Sequence, residues 1–219
     1  MDPKLKLFIK LAEIYETHGF KLFLVGGSVR DYLLGNPLSD MDVVTNATPI
    51  EEKEFLPEAN YTFEKYGSIK LNFEGVKFDI TTLRKETGYS DSRHPNKIIF
   101  TDKLEEDVNR RDLTINALYL SKDLEVIDYV NGVNDLNNKL IKMIGDPLTR
   151  ITEDPLRIVR VWRFKHELGF KVEENLDKTI KQNLYLLKYL NVDKIKEEVA
   201  KSHHQESLLK EIKKSFLIN

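Results

Sequence analysis

The hydrophobic pattern changes character once along the chain, and that change limits the fold more than any other feature. Up to about residue 140, short apolar runs of strand type alternate with short helical segments; beyond Asp146-Pro147 nearly everything keeps helical spacing. An α/β half is therefore followed by an all-α half, with the seam near residues 140–150, and the class is α+β. In the first half the spacing predicts a helix over residues 4–18, stopped by Gly19, and then a buried strand, KLFLVGG, running into a glycine pair. A short helix over 29–34 closes at Gly35-Asn36-Pro37, DMDVVT alternates as a strand, and Thr48-Pro49-Ile50-Glu51 opens a capped helix. TFEKYGSIKLNF and VKFDITTL alternate around Glu74-Gly75 as a hairpin, and a polar stretch, KETGYSDSRHPNK, separates them from IIFTD. From Leu104 the pattern predicts helix through RRDLTINALYL, then a short strand at 125–130 and a turn at Asn131-Gly132.

Charge follows the same division. The 34 Lys+Arg and 36 Asp+Glu leave a formal net charge of −2, which by itself argues against a nucleic-acid partner. Counted separately, residues 1–138 carry −7 and residues 139–219 carry +5, so the near-balance conceals an acidic half and a basic half. Hydrophobic residues make up 41%, enough for a core and too much for a disordered chain. Cysteine is absent, which removes disulfides, thiolate metal sites and cysteine nucleophiles. No stretch approaches a membrane span and the start lacks a signal-peptide pattern, so no membrane association is expected and the expected address is the cytoplasm.

Three constellations carry chemistry. The first is GGSVRD at 26–31 followed by Asp40-Met41-Asp42. Residues i and i+2 of a strand share a face, so the carboxylates of Asp40 and Asp42 point together, an arrangement that a hard divalent cation relieves. A lone D-x-D is usually a solvated acidic turn; the strand, glycine turn and helix just upstream give it another meaning. Gly27 and Ser28 offer N–H and hydroxyl donors at a helix start, where phosphate oxygens bind. Asp79, pointing away from Phe78 and Ile80, is the candidate third carboxylate of a two-metal clamp.

The second constellation is RRDLTINA at 110–117. On the expected helix Arg111, Asp112 and Asn116 span about a turn and supply groups for a triphosphate and a sugar hydroxyl. The third is EDPLRIVRVWRF at 153–164, where Asp154 and Arg157 lie three apart and Arg160 and Arg163 continue the stripe. An ionised carboxylate only accepts and a guanidinium only donates. Such a pair satisfies an amino group beside an unprotonated ring nitrogen, which cytosine and adenine present. Uracil and guanine offer a carbonyl and a ring N–H there and would clash.

With these strings in place, the chain resembles the class II tRNA nucleotidyltransferases, the CCA-adding enzymes that share a polymerase-β-like head with bacterial poly(A) polymerases. LVGGSVRDYLLG, SDMDVVTNATP, FDITTLRKETGYSDSRHP, LEEDVNRRDLTINAL and ITEDPLRIVRVWRFKHELGF carry the likeness across most of residues 22–170. The resemblance implies a nucleotidyltransferase head with a mixed sheet flanked by helices (1–140) and a helical neck (141–219). It implies attack of a tRNA 3′-hydroxyl on the α-phosphate of CTP or ATP with Mg2+, releasing pyrophosphate. Position by position, Asp40 and Asp42 would bind metal, and Gly27, Arg30 and Arg111 would contact the nucleotide. Asp154 and Arg157 would read the base, with Arg160 and Arg163 supporting them. Many relatives have Glu where this chain has Asp79, which shortens the reach of the third carboxylate.

Within the family EKYGSIKLNFEG is similar to the CCA-type version of its strand rather than to that of poly(A) polymerases. The loop KETGYSDSRHPNK, with Asp91 and Arg93, is similar to the flexible loop that CC-adding enzymes shorten. Full CCA addition is the expectation, with A-only or CC-only addition, poly(A) synthesis, a non-catalytic RNA-binding module and a small-molecule nucleotidyltransferase as alternatives. Relatives continue into body and tail domains, so this chain is expected to be a fragment or a short form holding only the acceptor end, with a homo-oligomer as one way to do so. His203-His204 and Trp162 are expected to be structural. Leu208, Leu209, Ile212, Phe216 and Leu217 form an apolar helical stripe expected to pack on the neck, with a dimer or missing-domain contact as the alternative.

Overall fold

Asp2 accepts the backbone N–H of Lys4 (2.8 Å) and Pro3 takes the first helical position, so helix α1 (Pro3–Thr17) starts where its orphan donors are best satisfied. Its buried stripe is Leu5, Phe8, Leu11, Ala12 and Tyr15, and it stops before Gly19, whose φ of 84° suits glycine. The computed structural model describes residues 1–89 and 95–217. Strand β1 (Leu22–Val25) and helix α2 (Gly27–Leu33) follow, then β2 (Met41–Thr45) and α3 (Pro49–Phe55) with the expected Thr48/Glu51 capping box. Strands β3 (Ser68–Phe73) and β4 (Val76–Thr82) flank Glu74-Gly75 as predicted.

β4 alternates cleanly: Phe78 and Ile80 are buried, while Lys77 and Asp79 are exposed. Its register sets Phe78 opposite Leu71 and Met41, and Ile80 opposite Ile69 and Val43, so one face is a continuous apolar layer. β7 (Tyr119–Leu120) and β8 (Val126–Ile127) complete a six-stranded sheet of order β3-β4-β2-β1-β7-β8. Within this sheet only β2 and β4 pair in parallel, and the crossover between them carries α3. This sheet and its helices form one compact unit of Met1–Thr87, Lys97–Arg111 and Ile115–Gly132.

Three expectations are corrected here. Residues 62–67 do not extend the strand; Glu64–Tyr66 form a single 3-10 turn closed by Gly67 at φ 73°. The polar stretch is not a plain spacer, because β5 (Arg84–Tyr89) pairs with β6 (Pro95–Phe100). The helix expected from Leu104 lasts only through α4 (Leu104–Val108), followed by a 3-10 turn at Thr114–Asn116 and then β7. Ile115, Ala117, Leu118, Tyr119 and Leu120 are all fully buried, which no one-sided amphipathic helix allows, and Tyr119 and Leu120 pair with Val25 and Leu24 instead.

The second unit is built mostly from Val133–Asn219, with Asp112–Thr114. It contains α5 (Gly132–Asn137), β9 (Leu140–Ile141), α6 (Pro147–Glu153), α7 (Leu156–Leu168), β10 (Lys171–Val172), α8 (Glu174–Gln182), a 3-10 turn (Leu184–Tyr189), α9 (Val192–Ala200) and α10 (Gln205–Leu217). The small parallel pair β9/β10 is the departure from an all-helical reading. Ile158, Val159, Val161 and Trp162 of α7 lie in the core with Ile151, Leu176, Ile180 and Leu187. Of the expected stripe on α10, Leu208 and Ile212 are buried and Leu209 and Phe216 are exposed, and the Leu217 side chain lies outside what is described. Glu211 ties α10 to α7 through Lys165 (2.8 Å) and His166 (2.7 Å), and Glu167 accepts from Ser202 Oγ and the His203 N–H. Among the described residues no helix is long and apolar enough to cross a membrane.

Glu52 on α3 is buried and accepts the Tyr15 hydroxyl of α1. Burial pushes its carboxyl up to about 8, so the folded chain holds a proton that the unfolded chain releases at the ordinary value. Its contribution is complete below about pH 4.5 and is lost as the pH rises to about 8, on the order of a few kcal/mol. Glu52→Gln is expected to flatten that slope. Urea unfolding at pH 5 and pH 8.5 checks it, and an unchanged difference between the two pH values would exclude Glu52 as the source.

Candidate functional site

In the first unit the site begins at the end of β1. Gly26 has φ 73° and ψ −134°, a conformation open to glycine and strained for any other residue by ~1–3 kcal/mol, and it turns the chain sharply into α2. From α2, Ser28 donates its hydroxyl to the Asp40 carbonyl (2.5 Å) and thereby anchors the segment entering β2. Asp40 itself precedes the strand and is exposed, whereas Asp42 lies within it and is half-buried. The Ser28 hydroxyl, expected as a donor to phosphate, is engaged here as a support for the aspartate segment.

Asp42 and Asp79 are register partners on the parallel strands β2 and β4, so their side chains leave the same face of the sheet. Burial pushes the Asp42 carboxyl up from its ordinary value, and the charges of Asp79 and Asp40 push the same way; Arg111 and Lys70 oppose them. Lys70, the partner of Asp79 on β3, holds its carboxylate at 2.6 Å. Among the described residues no three His, Asp or Glu side chains gather as a ready ligand set for a metal. The oxygen-only chemistry of Asp40 and Asp42 nevertheless suits a hard cation, and the repulsion acting on Asp42 is what such an ion offsets.

Around these carboxylates stand donors. Arg111 is fixed by Asp107, which accepts its Nε (3.0 Å) and Nη2 (2.9 Å), and it also donates to Tyr119 Oη (3.2 Å). Asp107 is fully buried and also accepts from Arg110 Nε (2.8 Å), the Arg84 N–H (3.2 Å) and Tyr119 Oη (3.0 Å). Burial would raise its carboxyl, but Arg111 and Arg110 outweigh that and hold it at about 2. Arg30 donates from Nη1 to Asn116 Oδ1 (2.7 Å) and from Nε and Nη2 to Asp31. Among the described residues no acceptor meets the buried amide nitrogen of Asn116, a donor suited to an incoming oxygen. Gly27 lies against Arg30: a Cβ on it would sit 3.4 Å from Nη2.

The second unit holds the other predicted residues. Arg111 and Asp112 adjoin in sequence, yet they belong to different units and not to one helix, which corrects the expected helical turn of Arg111, Asp112 and Asn116. Asp112 accepts Arg160 Nε (2.5 Å), which holds its carboxyl at about 2 against the effect of burial. Buried Glu198 on α9 lies 3.5 Å from Arg160 and 2.6 Å from Arg163. Asp154 is the C-cap of α6 and precedes α7; it accepts the Leu156 N–H (3.0 Å). Arg157 is buried and donates to the Arg150 carbonyl (2.6 Å) and to Glu153 (2.9 Å), so part of its fork is committed within the protein. Asp91 and Arg93 lie outside the described residues.

Asp107, Glu153 and Glu198 were missed in the sequence. The spacing of Asp107 three and four residues before Arg110 and Arg111 was a usable signal for the first. Glu198 sits in a charged run, VDKIKEEVAK, with nothing local to mark it.

Residues 22–142 match the family model described as the poly A polymerase head domain. The CCA-adding enzyme of Lactobacillus helveticus (strain DPC 4571) is 41% identical over 204 residues, covering 92% of this chain and 51% of the relative. That of Pediococcus pentosaceus is 41% identical over 186 residues, covering 85% and 47%. The Bacillus stearothermophilus CCA-adding enzyme, solved in complex with CTP, superimposes with a TM-score of 0.84 at 31% identity, over 95% of this chain and 49% of the other. A tRNA nucleotidyltransferase solved with a primer tRNA and an incoming ATP analog gives a TM-score of 0.77 at 30% identity, over 95% of this chain and 61% of the other. The chain spans about half the length of the curated relatives it matches.

Proposed function

The chain belongs to the poly A polymerase head-domain family, and from that footing we propose that it is a template-independent nucleotidyltransferase that adds C, C and A from CTP and ATP to the 3′ end of tRNA. Residues 1–140 act as the catalytic head and residues 141–219 as a helical neck. The observation that carries this reading is the β2/β4 register, which sets Asp42 beside Asp79 with Arg111 close enough to counter the charge on Asp42.

The reaction forms a bond between the RNA 3′-oxygen and the α-phosphorus and breaks the α–β bridging bond; pyrophosphate leaves and the hydroxyl proton is released. Asp40 and Asp42 would hold Mg2+, which supplies Lewis-acid stabilisation of the charge developing at phosphorus. Asp79 adds negative potential on the same face, moderated by Lys70. Arg111, Arg30 and Gly27 serve the triphosphate, and the orphan Asn116 amide serves a nucleotide oxygen. Asp154 and Arg157 supply the acceptor–donor pattern for cytosine and adenine. Asp112, Arg160, Arg163 and Glu198 form an ion network in the same unit.

The test incubates the purified chain with Mg2+, labelled CTP or ATP, and tRNA ending before CCA, at CC or at CCA. Two C and one A followed by arrest support the reading. Only C or only A marks a partial enzyme, an unlimited A tail a poly(A) polymerase, and no incorporation rejects an enzyme. Asp154→Asn, which replaces one acceptor with an N–H2 donor, is expected to relax the preference for CTP and ATP over UTP and GTP by about tenfold or more, each bidentate base contact being worth ~1–3 kcal/mol. Competition between the four nucleotides measures it, and unchanged preference removes Asp154 from the base reader.

A further inference from the structure

The 3-10 turn Leu184–Tyr189 anchors itself from below and displays aromatics above. Leu186 and Leu187 are buried, whereas Tyr185 is 47% and Tyr189 64% exposed. The Lys188 ammonium lies between them, 5.9 Å from the Tyr185 ring centre and 4.9 Å from that of Tyr189. Of the lysines flanking it in the chain, Lys181 pairs with Asp177, Lys194 with Glu197, Lys196 with Asp193 and Lys201 with Glu198, whereas Lys178 on α8 forms no ion pair among the described residues. Among the described residues no carboxylate pairs with Lys188, whose ammonium lies over one face of each of these two exposed rings.

Stacking surfaces around an unpaired ammonium match a strand of unstacked bases joined by phosphates, and residues 139–219 are net positive by five charges. A protein partner would need to bring an acidic group onto an otherwise apolar contact; single-stranded RNA brings both complements in every nucleotide. We propose that Tyr185, Lys188 and Tyr189 form a stacking platform for a single-stranded segment of the RNA substrate. This rests on the reading of the chain as an RNA nucleotidyltransferase and adds where the unpaired RNA is held.

The experiment measures fluorescence anisotropy of a labelled eight-nucleotide single-stranded RNA and of tRNA lacking CCA, with wild type, the double variant Tyr185→Ala/Tyr189→Ala and Lys188→Met. Base stacking on aromatic side chains predicts that the double variant loses about 10- to 100-fold in affinity for the single strand. Lys188→Met should reduce the slope of log affinity against log salt by about 0.7, the contribution of one phosphate contact. Affinity for CTP, measured without RNA, should stay within about twofold in both variants. Tyr185→Phe/Tyr189→Phe should bind RNA like wild type, since the ring faces remain. Equal RNA affinity in wild type and double variant overturns the platform while leaving the enzyme reading intact. So does a change confined to oligomeric state, read by light scattering, because the face is then a protein contact. A wild type that neither binds RNA nor incorporates nucleotide overturns both.

Discussion

Asp107→Ala is expected to destabilise the chain by about 3–5 kcal/mol, lowering the thermal midpoint by roughly 10 °C. The carboxylate is fully buried and receives bonds from both arginines of the Arg110-Arg111 pair, from the Tyr119 hydroxyl and from the Arg84 backbone. Removing it leaves two half-desolvated guanidinium groups facing one another without their common counter-charge, and deletion of one partner is the costly way to break a buried ionic network. Its folded value, about 2, lies below the ordinary one, so the contribution is present above about pH 4 and is lost as the pH falls toward 2. Urea unfolding of wild type and variant at pH 7 and pH 2.5 tests both statements. The gap should be widest at pH 7 and shrink in acid. A loss under about 1 kcal/mol at pH 7 would mean that Glu86, 3.8 Å from Arg110, takes over the charge and that Asp107 does not organise Arg111.

How far the site could be read in advance depended on whether its parts are joined locally. The turn after β1 was legible because a strand-type run ends on Gly26-Gly27, and the outward aim of Asp79 was legible because Phe78 and Ile80 alternate around it. The pairing of Asp42 with Asp79 was not, since it depends on a parallel register between strands 37 positions apart with a helix in the crossover. The segment after Leu104 misled because its run of apolar residues is compatible with helix; what decided it was burial on all sides and the hydrogen bonds of β1, neither of which leaves a local trace. Arg157 shows the same limit in reverse. Its spacing from Asp154 was visible, yet Arg150 and Glu153 already engage its guanidinium, so the pair is braced by groups the motif does not include.

Asp42→Asn separates chemistry from folding most sharply. Burial and the neighbouring charges of Asp79 and Asp40 all act against the ionised Asp42 side chain, so the native carboxylate is held at a cost that the fold does not need. An amide of nearly the same shape removes that repulsion, and the variant is expected to be as stable as wild type or more stable by up to about 1 kcal/mol, the usual sign of a group kept for function at the expense of stability. In the incorporation assay with Mg2+, CTP and tRNA lacking CCA, the same variant is expected to lose about a thousandfold or more in rate, since the several kcal/mol that a metal supplies at phosphorus correspond to that factor. Stability must hold or rise while activity falls. A variant that is less stable and proportionately less active would make Asp42 a structural residue, and one within tenfold of wild-type rate would remove it from the metal site. Stability kept or gained while activity is lost is the result expected of a charge at Asp42 held to meet a cation.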